Sequence, residues 1–323
     1  EILIPDADIK DFGIFITSLY SIDENTSLQG GIRYDFRNMD TKKHIILHDH
    51  EGIIEEHIFE PLNKDFNSFN ASFGFKTTLF KNIITRVNIA SGFRAPNIAE
   101  LTSNGVHHGT NRFEKGNTNL NSEQNIQTDI NLEYQDEHFE IYANGFYNNI
   151  KDFIYISPTG EIEDNHEVYE YTQNNSNLYG GEFGFHLHPH PIHWLHLESY
   201  LQTVIGKQDN GEYLPLIPAN KLSNTIRSEF DINEVFNEVY ISINLNSYFK
   251  QDNTDLFENS SPGYSLFNFS LGSNIHLKNT QMTTYFSINN LLNKAYISHL
   301  STLKTDGIPN AGRNISLGVN IEI

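Results

Sequence analysis

Hydrophobic and polar residues alternate along most of this chain with a period of two, which is the pattern of a strand with one apolar and one polar face. From Asn125 to Tyr134 one face reads Ile126, Thr128, Ile130, Leu132, Tyr134, and the other Asn125, Gln127, Asp129, Asn131, Glu133. The C-terminal segment repeats it, with Ile315, Leu317, Val319, Ile321 and Ile323 against Asn314, Ser316, Gly318, Asn320 and Glu322. Comparable segments lie near 7–20, 26–37, 66–80, 82–93, 138–156, 168–189, 193–206, 222–232, 238–250, 263–277 and 281–292. The pattern predicts an all-β chain of about 13 strands.

Alternation alone does not separate a membrane barrel from a soluble sandwich, but the connections do. Tight ones (Ser21–Asn25, Gln135–Glu137, Pro189–Ile192, Lys278–Thr280) take turns with long ones (Asn38–Asp65, Arg94–Asn121, Ser157–Glu167, Lys207–Lys221, Gln251–Pro262, Asn293–Gly312). Short turns on one rim and long loops on the other are the arrangement of an antiparallel transmembrane β-barrel of the outer membrane. A Greek-key sandwich follows no such rule. With the last strand running inward from the cell surface, every long connection falls on the extracellular rim and every tight one on the periplasmic rim. A closed antiparallel barrel that starts and ends on one side needs an even strand count. An odd count near 13 therefore predicts the C-terminal part of a larger barrel, with residues 1–323 forming one barrel portion.

Composition agrees with strands. The 323 residues include 23 Phe and 16 Tyr, and no Cys, so neither disulfides nor thiolate metal sites are available. A mean hydropathy of −0.45 is compatible with a barrel, whose strands place an apolar residue only at every second position. No apolar run approaches the roughly 20 residues of a membrane-spanning helix. The net charge of −20 argues against a nucleic-acid partner and favours cations. The first residues, EILIPDADIK, lack the basic and apolar regions of a signal peptide, so the reading expects one removed on maturation or a chain that begins partway through a longer protein.

Several segments, in order, resemble landmarks of TonB-dependent outer-membrane receptors. They are Phe93-Arg94-Ala95-Pro96-Asn97 with Glu100 and Leu101, then FEKGNTNLNSEQN at 113–125 with Gly116, Asn117, Asn119, Leu120 and Glu123. YTQNNSNLYGGEFGF at 171–185, INNLLNKAY at 288–296 and the closing GRNISLGVNIEI follow. The resemblance implies a bacterial outer-membrane location among lipid and lipopolysaccharide, and a 22-stranded barrel of which this chain supplies the last part. It also implies an N-terminal plug, absent from these residues, through which the TonB complex drives uptake of a metal ion or metal chelate. The family usually ends in an aromatic residue, where this chain has Ile323.

Candidate chemistry centres on NGVHHGT, 104–110, between two of those landmarks. The resemblance associates a His-His loop here with zinc-type receptors, and a haem-ligating histidine in the same interval with haem receptors. Neutral imidazole serves both, so His107 and His108 are candidate contacts for zinc or haem as cargo. The long loop 38–65 adds His48, Asp49, His50, Glu51 and His57, a nitrogen and oxygen donor set without a closed zinc-site spacing. A solvated acidic loop is the competing reading. Loop 157–167 offers Glu161, Glu163, Asp164, His166 and Glu167 as an extension of the same acidic vestibule. The dense histidines of HLHPHPIHWLHLE, 186–198, fall around a periplasmic turn, away from incoming substrate.

No catalytic signature is present: HExxH, GxSxG and phosphate-binding loops are all missing. The reading is a receptor that imports zinc or a similar ion, with no cofactor required and no enzyme activity. A haem or ferric-siderophore receptor is the alternative within the family. A passive porin or surface adhesin is the alternative outside it.

Overall fold

The computed structural model describes the backbone of residues 2–50, 53–80, 82–277 and 280–322; the side chains of 46–50, 53–57 and 322 lie outside the description. The strands are β1 (Ala7–Ser21), β2 (Thr26–Thr41), β3 (His44–His50), β4 (Ile53–Phe59), β5 (Asn63–Leu79), β6 (Ile83–Arg94), β7 (Asn104–His107), β8 (Arg112–Lys115) and β9 (Glu123–Gln135). They continue with β10 (Phe139–Glu163), β11 (His166–Leu187), β12 (Leu195–Gln208), β13 (Lys221–Phe230), β14 (Phe236–Tyr248), β15 (Tyr264–Leu277), β16 (Thr280–Asn289) and β17 (Asn314–Glu322). One short helix, α1 (Ile98–Thr102), lies between β6 and β7.

A single antiparallel sheet runs β1-β2-β5-β6-β9-β10-β11-β12-β13-β14-β15-β16-β17, each strand beside its neighbour in this path. Among the described residues β1 and β17 are its edges, so the sheet is not closed. Every strand of the path coincides with one of the alternating segments.

The alternation has the consequence expected of a membrane-spanning sheet. Large apolar side chains on the outward face are the exposed ones: Leu317 is 77% exposed, Ile226 57% and Ile126 59%. In water, each such face would leave a contiguous apolar surface uncovered, at about 25 cal/mol per Å². Lipid removes that cost, and hydrogen bonding along the sheet satisfies the backbone where water is absent. No described helix is long and apolar enough to cross a membrane.

The long connections differ from simple loops. Loop 38–65 is a hairpin in which β3 pairs with β4, from His44 opposite Phe59 to His50 opposite Ile53. Loop 94–121 holds α1 and the β7–β8 hairpin, and β8 runs parallel to β11 with Phe113 opposite Val168. Loop 157–167 shrinks to the two-residue tip Asp164-Asn165, both with left-handed backbone, because β10 and β11 continue well past the body of the sheet. Register shifts at Ile150/Phe153 and Pro158/Ile162 let that tall ribbon bend.

Buried hydrophobic residues concentrate at the long-loop rim. Met39, Phe66, Ala95, Ile98, Leu101, Leu120 and Ile154 form one cluster, and Val106, Phe113 and Val168 a second. The loops are therefore packed against the wall of the sheet, with a small core of their own.

Candidate functional site

The segment from Phe93 to Asn125 is assembled around one guanidinium. Arg94, the last residue of β6, donates from Nη1 to both Glu100 oxygens at 2.8 Å. Its Nε and Nη2 donate to Glu123, at 2.9 and 2.6 Å. Two bidentate pairs from one planar fork fix three chain segments at once. The carboxylates are nearly enclosed, at 10% and 11% side-chain exposure, whereas Arg94 keeps 42%. Glu123 also accepts from the Ile154 backbone N–H at 2.7 Å, which ties in the tall ribbon.

Pro96 stops β6, and Asn97 then caps α1. The Asn97 side chain accepts from the Glu100 N–H, while Glu100 accepts from the Asn97 N–H, both at 2.8 Å. This capping box satisfies two helix-terminal donors reciprocally. Gly116 closes the arrangement by lying against the end of α1, where an added Cβ would sit 2.4 Å from the Thr102 nitrogen. Asn117 donates its backbone N–H to the Glu100 carbonyl at 2.8 Å, and its side chain turns the chain by accepting from Asn119 N–H at 3.0 Å. Leu120 then enters the core at 2% exposure. The motif residues Phe93, Arg94, Ala95, Pro96, Asn97, Gly116, Asn117, Asn119, Leu120 and Glu123 thus build a frame.

What the frame presents is the β7–β8 hairpin. Phe113 and Val106 anchor its base against Val168, and Arg112 pairs with Glu114 at 2.8 Å while lying over the Tyr169 ring. The tip turns at His107, whose carbonyl accepts from the N–H groups of Thr110 and Asn111 at 3.0 and 2.9 Å. Asn111 supplies the left-handed residue the turn requires, at φ 53°. The Thr110 hydroxyl and His107 Nδ1 share a hydrogen bond of 3.0 Å. That bond orients the His107 ring. His108 is exposed at the tip beside it.

The other predicted donors are not brought to this hairpin by any described contact. Register sets His48 opposite Glu55, Asp49 opposite Ile54 and His57 opposite Ile46 in the β3–β4 hairpin. Glu51 lies outside the described residues, as do the side chains of His48, Asp49, His50 and His57. Glu161 and Glu163 meet Lys115 at 3.9 and 2.6 Å, so that part of the acidic rim is spent on an internal cation. The Lys115 ammonium is held above its ordinary pKa chiefly by the Glu163 hydrogen bond.

Sequence reading missed a further group at this rim. His299, buried at 4% exposure, shares a 2.8 Å hydrogen bond through Nδ1 with Ser261. Its Nε2 lies 3.1 Å from Glu258, and Lys304 approaches the same carboxylate at 3.6 Å. Burial lowers the His299 pKa, with Lys304 adding to the effect and Glu258 opposing it. The trio has the composition of a hydrolytic triad, and Ser261 is itself buried at 4%. It is a clasp between the loops after β14 and β16. Scattered Ser, Glu, His and Lys positions carry no local pattern that would have revealed it.

A long-loop rim framed by Arg94, above an antiparallel sheet with apolar outer positions, defines an outer-membrane receptor barrel. Residues 3–291 match the family model for the TonB-dependent receptor-like β-barrel, and the chain belongs to that family. Solved structures of similar fold include the copper transporter OprC, with a TM-score of 0.80 at 18% identity over 97% of this chain and 48% of that one. The haemophore receptor HasR of Serratia marcescens, solved with its haemophore HasA and haem, gives 0.69 at 15% identity over 98% and 52%. The ferric-catecholate import receptor Fiu of E. coli K12 gives 0.67 at 16% identity over 97% and 44%. This chain spans about half the length of these structures. Members of the family are transporters of the outer membrane.

Proposed function

We propose that this chain is the C-terminal barrel portion of a TonB-dependent receptor, plugged by a domain outside these residues, that imports a divalent transition metal such as zinc. The observation that carries this reading is the β7–β8 tip. There the His107 ring is oriented through Nδ1 by Thr110, with His108 adjacent, on a hairpin held by a packed base. Imidazole nitrogens are ligands of choice for borderline metals. The long-loop rim faces the cell exterior in this reading, lipid and lipopolysaccharide surround the outer face, and the TonB complex supplies energy through the plug. The net charge of −20 favours cations over anions as cargo.

The test is titration of the full-length receptor with Zn²⁺ and, separately, with haem. His107→Ala/His108→Ala is expected to weaken zinc binding at the β7–β8 hairpin at least tenfold, lowering the zinc stoichiometry by one equivalent, and to slow metal-limited growth. Unchanged zinc affinity together with a His107-dependent Soret shift would transfer the assignment to haem. Uptake that persists without TonB would instead indicate a passive pore.

A further inference from the structure

The densest histidine group lies at the other end of the sheet, on the rim of tight turns. Two separate turns build it. One, 136–138, joins β9 to β10; the other, 188–194, joins β11 to β12. Because β10 and β11 are paired, with Phe139 opposite Leu187, the two turns lie side by side. The His188 N–H donates to the His138 carbonyl at 3.0 Å. Residues fifty positions apart in sequence thereby become neighbours.

Two sets stand out among the histidines, with the His190 ring beside the second, 5.7 Å from that of His138 and 5.0 Å from that of His193. His186 Nε2 and His196 Nδ1 share a 2.9 Å hydrogen bond, and their other nitrogens lie 3.8 Å from Glu140 and Glu229 respectively. These two rings are committed to one another. The second set is not: one ring nitrogen each from His138, His188 and His193 lies within 4.8 Å of the other two. The His138 Nδ1 is buried and lacks a hydrogen-bond partner. A buried, unpartnered imidazole nitrogen is destabilising unless something takes its lone pair or proton.

The backbone under this set is well fixed. Asp136 accepts from the His138 and Phe139 N–H groups at 2.9 and 2.8 Å, and from the Tyr134 hydroxyl at 2.7 Å. The 188–194 turn is closed by Ile192 N–H to the Pro189 carbonyl at 2.8 Å. His138 and His188 are partly buried, while His193 is exposed, so the site has one open side.

We infer that His138, His188 and His193 form a three-imidazole site for a divalent transition metal, with its fourth position open to solvent. Nitrogen-to-metal distances of about 2.0–2.1 Å require the three nitrogens to close in modestly from their present spacing. The mobile member is His193, on the exposed turn. The site is separate from the β7–β8 hairpin and does not depend on the cargo proposed there.

Co²⁺ serves as a visible probe for Zn²⁺. Full-length receptor carrying His107→Ala/His108→Ala, purified in detergent, leaves the short-turn rim to report. It is expected to bind one equivalent of Co²⁺ with the visible absorption of a low-coordinate centre, displaced by Zn²⁺. Adding His193→Ala, which alters only an exposed turn, should weaken binding at least tenfold, and His188→Ala should abolish the band. His186→Ala should change the affinity less than threefold. The inference is overturned if no low-coordinate band forms, or if the band survives His188→Ala and His193→Ala at unchanged affinity. Equal losses from His186→Ala and His193→Ala would also overturn it, because the metal would then belong to the whole cluster.

Discussion

The two rims of the sheet use histidine in opposite ways. At the long-loop rim, His107 and His108 are adjacent in sequence, and a large apparatus of Arg94, Glu100, Glu123, Asn97 and a buried core holds their hairpin in place. At the short-turn rim, His138, His188 and His193 come from two turns, and strand pairing together with short-range turn hydrogen bonds brings them together. Where loops are long, position must be enforced by ion pairs and packing, because chain entropy opposes order. Where turns are short, the register of the strands already sets position to within a residue.

Removing the frame should separate the rims most sharply. Arg94→Ala leaves two nearly enclosed carboxylates without their shared partner, a loss of about 2–3 kcal/mol for charged hydrogen bonds. Hydrogen exchange across residues 95–120 should accelerate while the 136–138 and 188–194 turns keep their protection. Equal loosening at both rims would erase the contrast. Gly116→Val forces a side chain into the backbone of α1, and overpacking of this kind costs about 1–3 kcal/mol. The same exchange measurement should localise it to 97–120.

Asp136→Ala acts at the other rim. It removes the acceptor for the His138 and Phe139 N–H groups and should loosen the 136–138 turn. The hydrogen bond from Tyr134 holds the Asp136 pKa below its ordinary value, assisted by the backbone N–H groups. Its effect should appear as a weaker Co²⁺ band with an unchanged long-loop rim.

The smallest effect is a pH dependence at the His299 clasp. The folded pKa lies below the ordinary histidine value of 6.5, so the unfolded loop binds protons more readily than the folded one. The clasp's stabilisation is therefore complete above about 6.5 and declines as pH falls from there through the folded value. Limited proteolysis of the 250–263 and 290–313 loops should accelerate in that window, and His299→Gln should flatten the dependence.

Much of the fold was legible because alternation is local. Each segment such as 126–134 declares its own faces without reference to any partner, and the tight turns punctuate them. The elements inside the loops were less legible. The β3–β4 and β7–β8 hairpins are short, and α1 has a capping signal in Asn97 and Glu100 too brief to read as a helix without its packing. The frame residues were visible as a motif, but that Arg94 bridges Glu100 and Glu123 required the fold to bring residue 123 beside residue 94. His107 and His108 stood out in the sequence as an adjacent pair, and the structure sets them at a hairpin tip. His138 did not stand out, since a lone histidine in a three-residue turn carries no signal of its own.

The sequence by itself determined the strands, the alternation of short and long connections, and the family, because each depends on the spacing of residues along the chain. The tertiary structure alone decided which side chains meet. A two-residue period sets the face of every position but says nothing of which distant strand lies alongside. Only the pairing of β10 with β11 sets His138 against His188, and only the closure of the 94–123 segment turns three charged residues into one clamp.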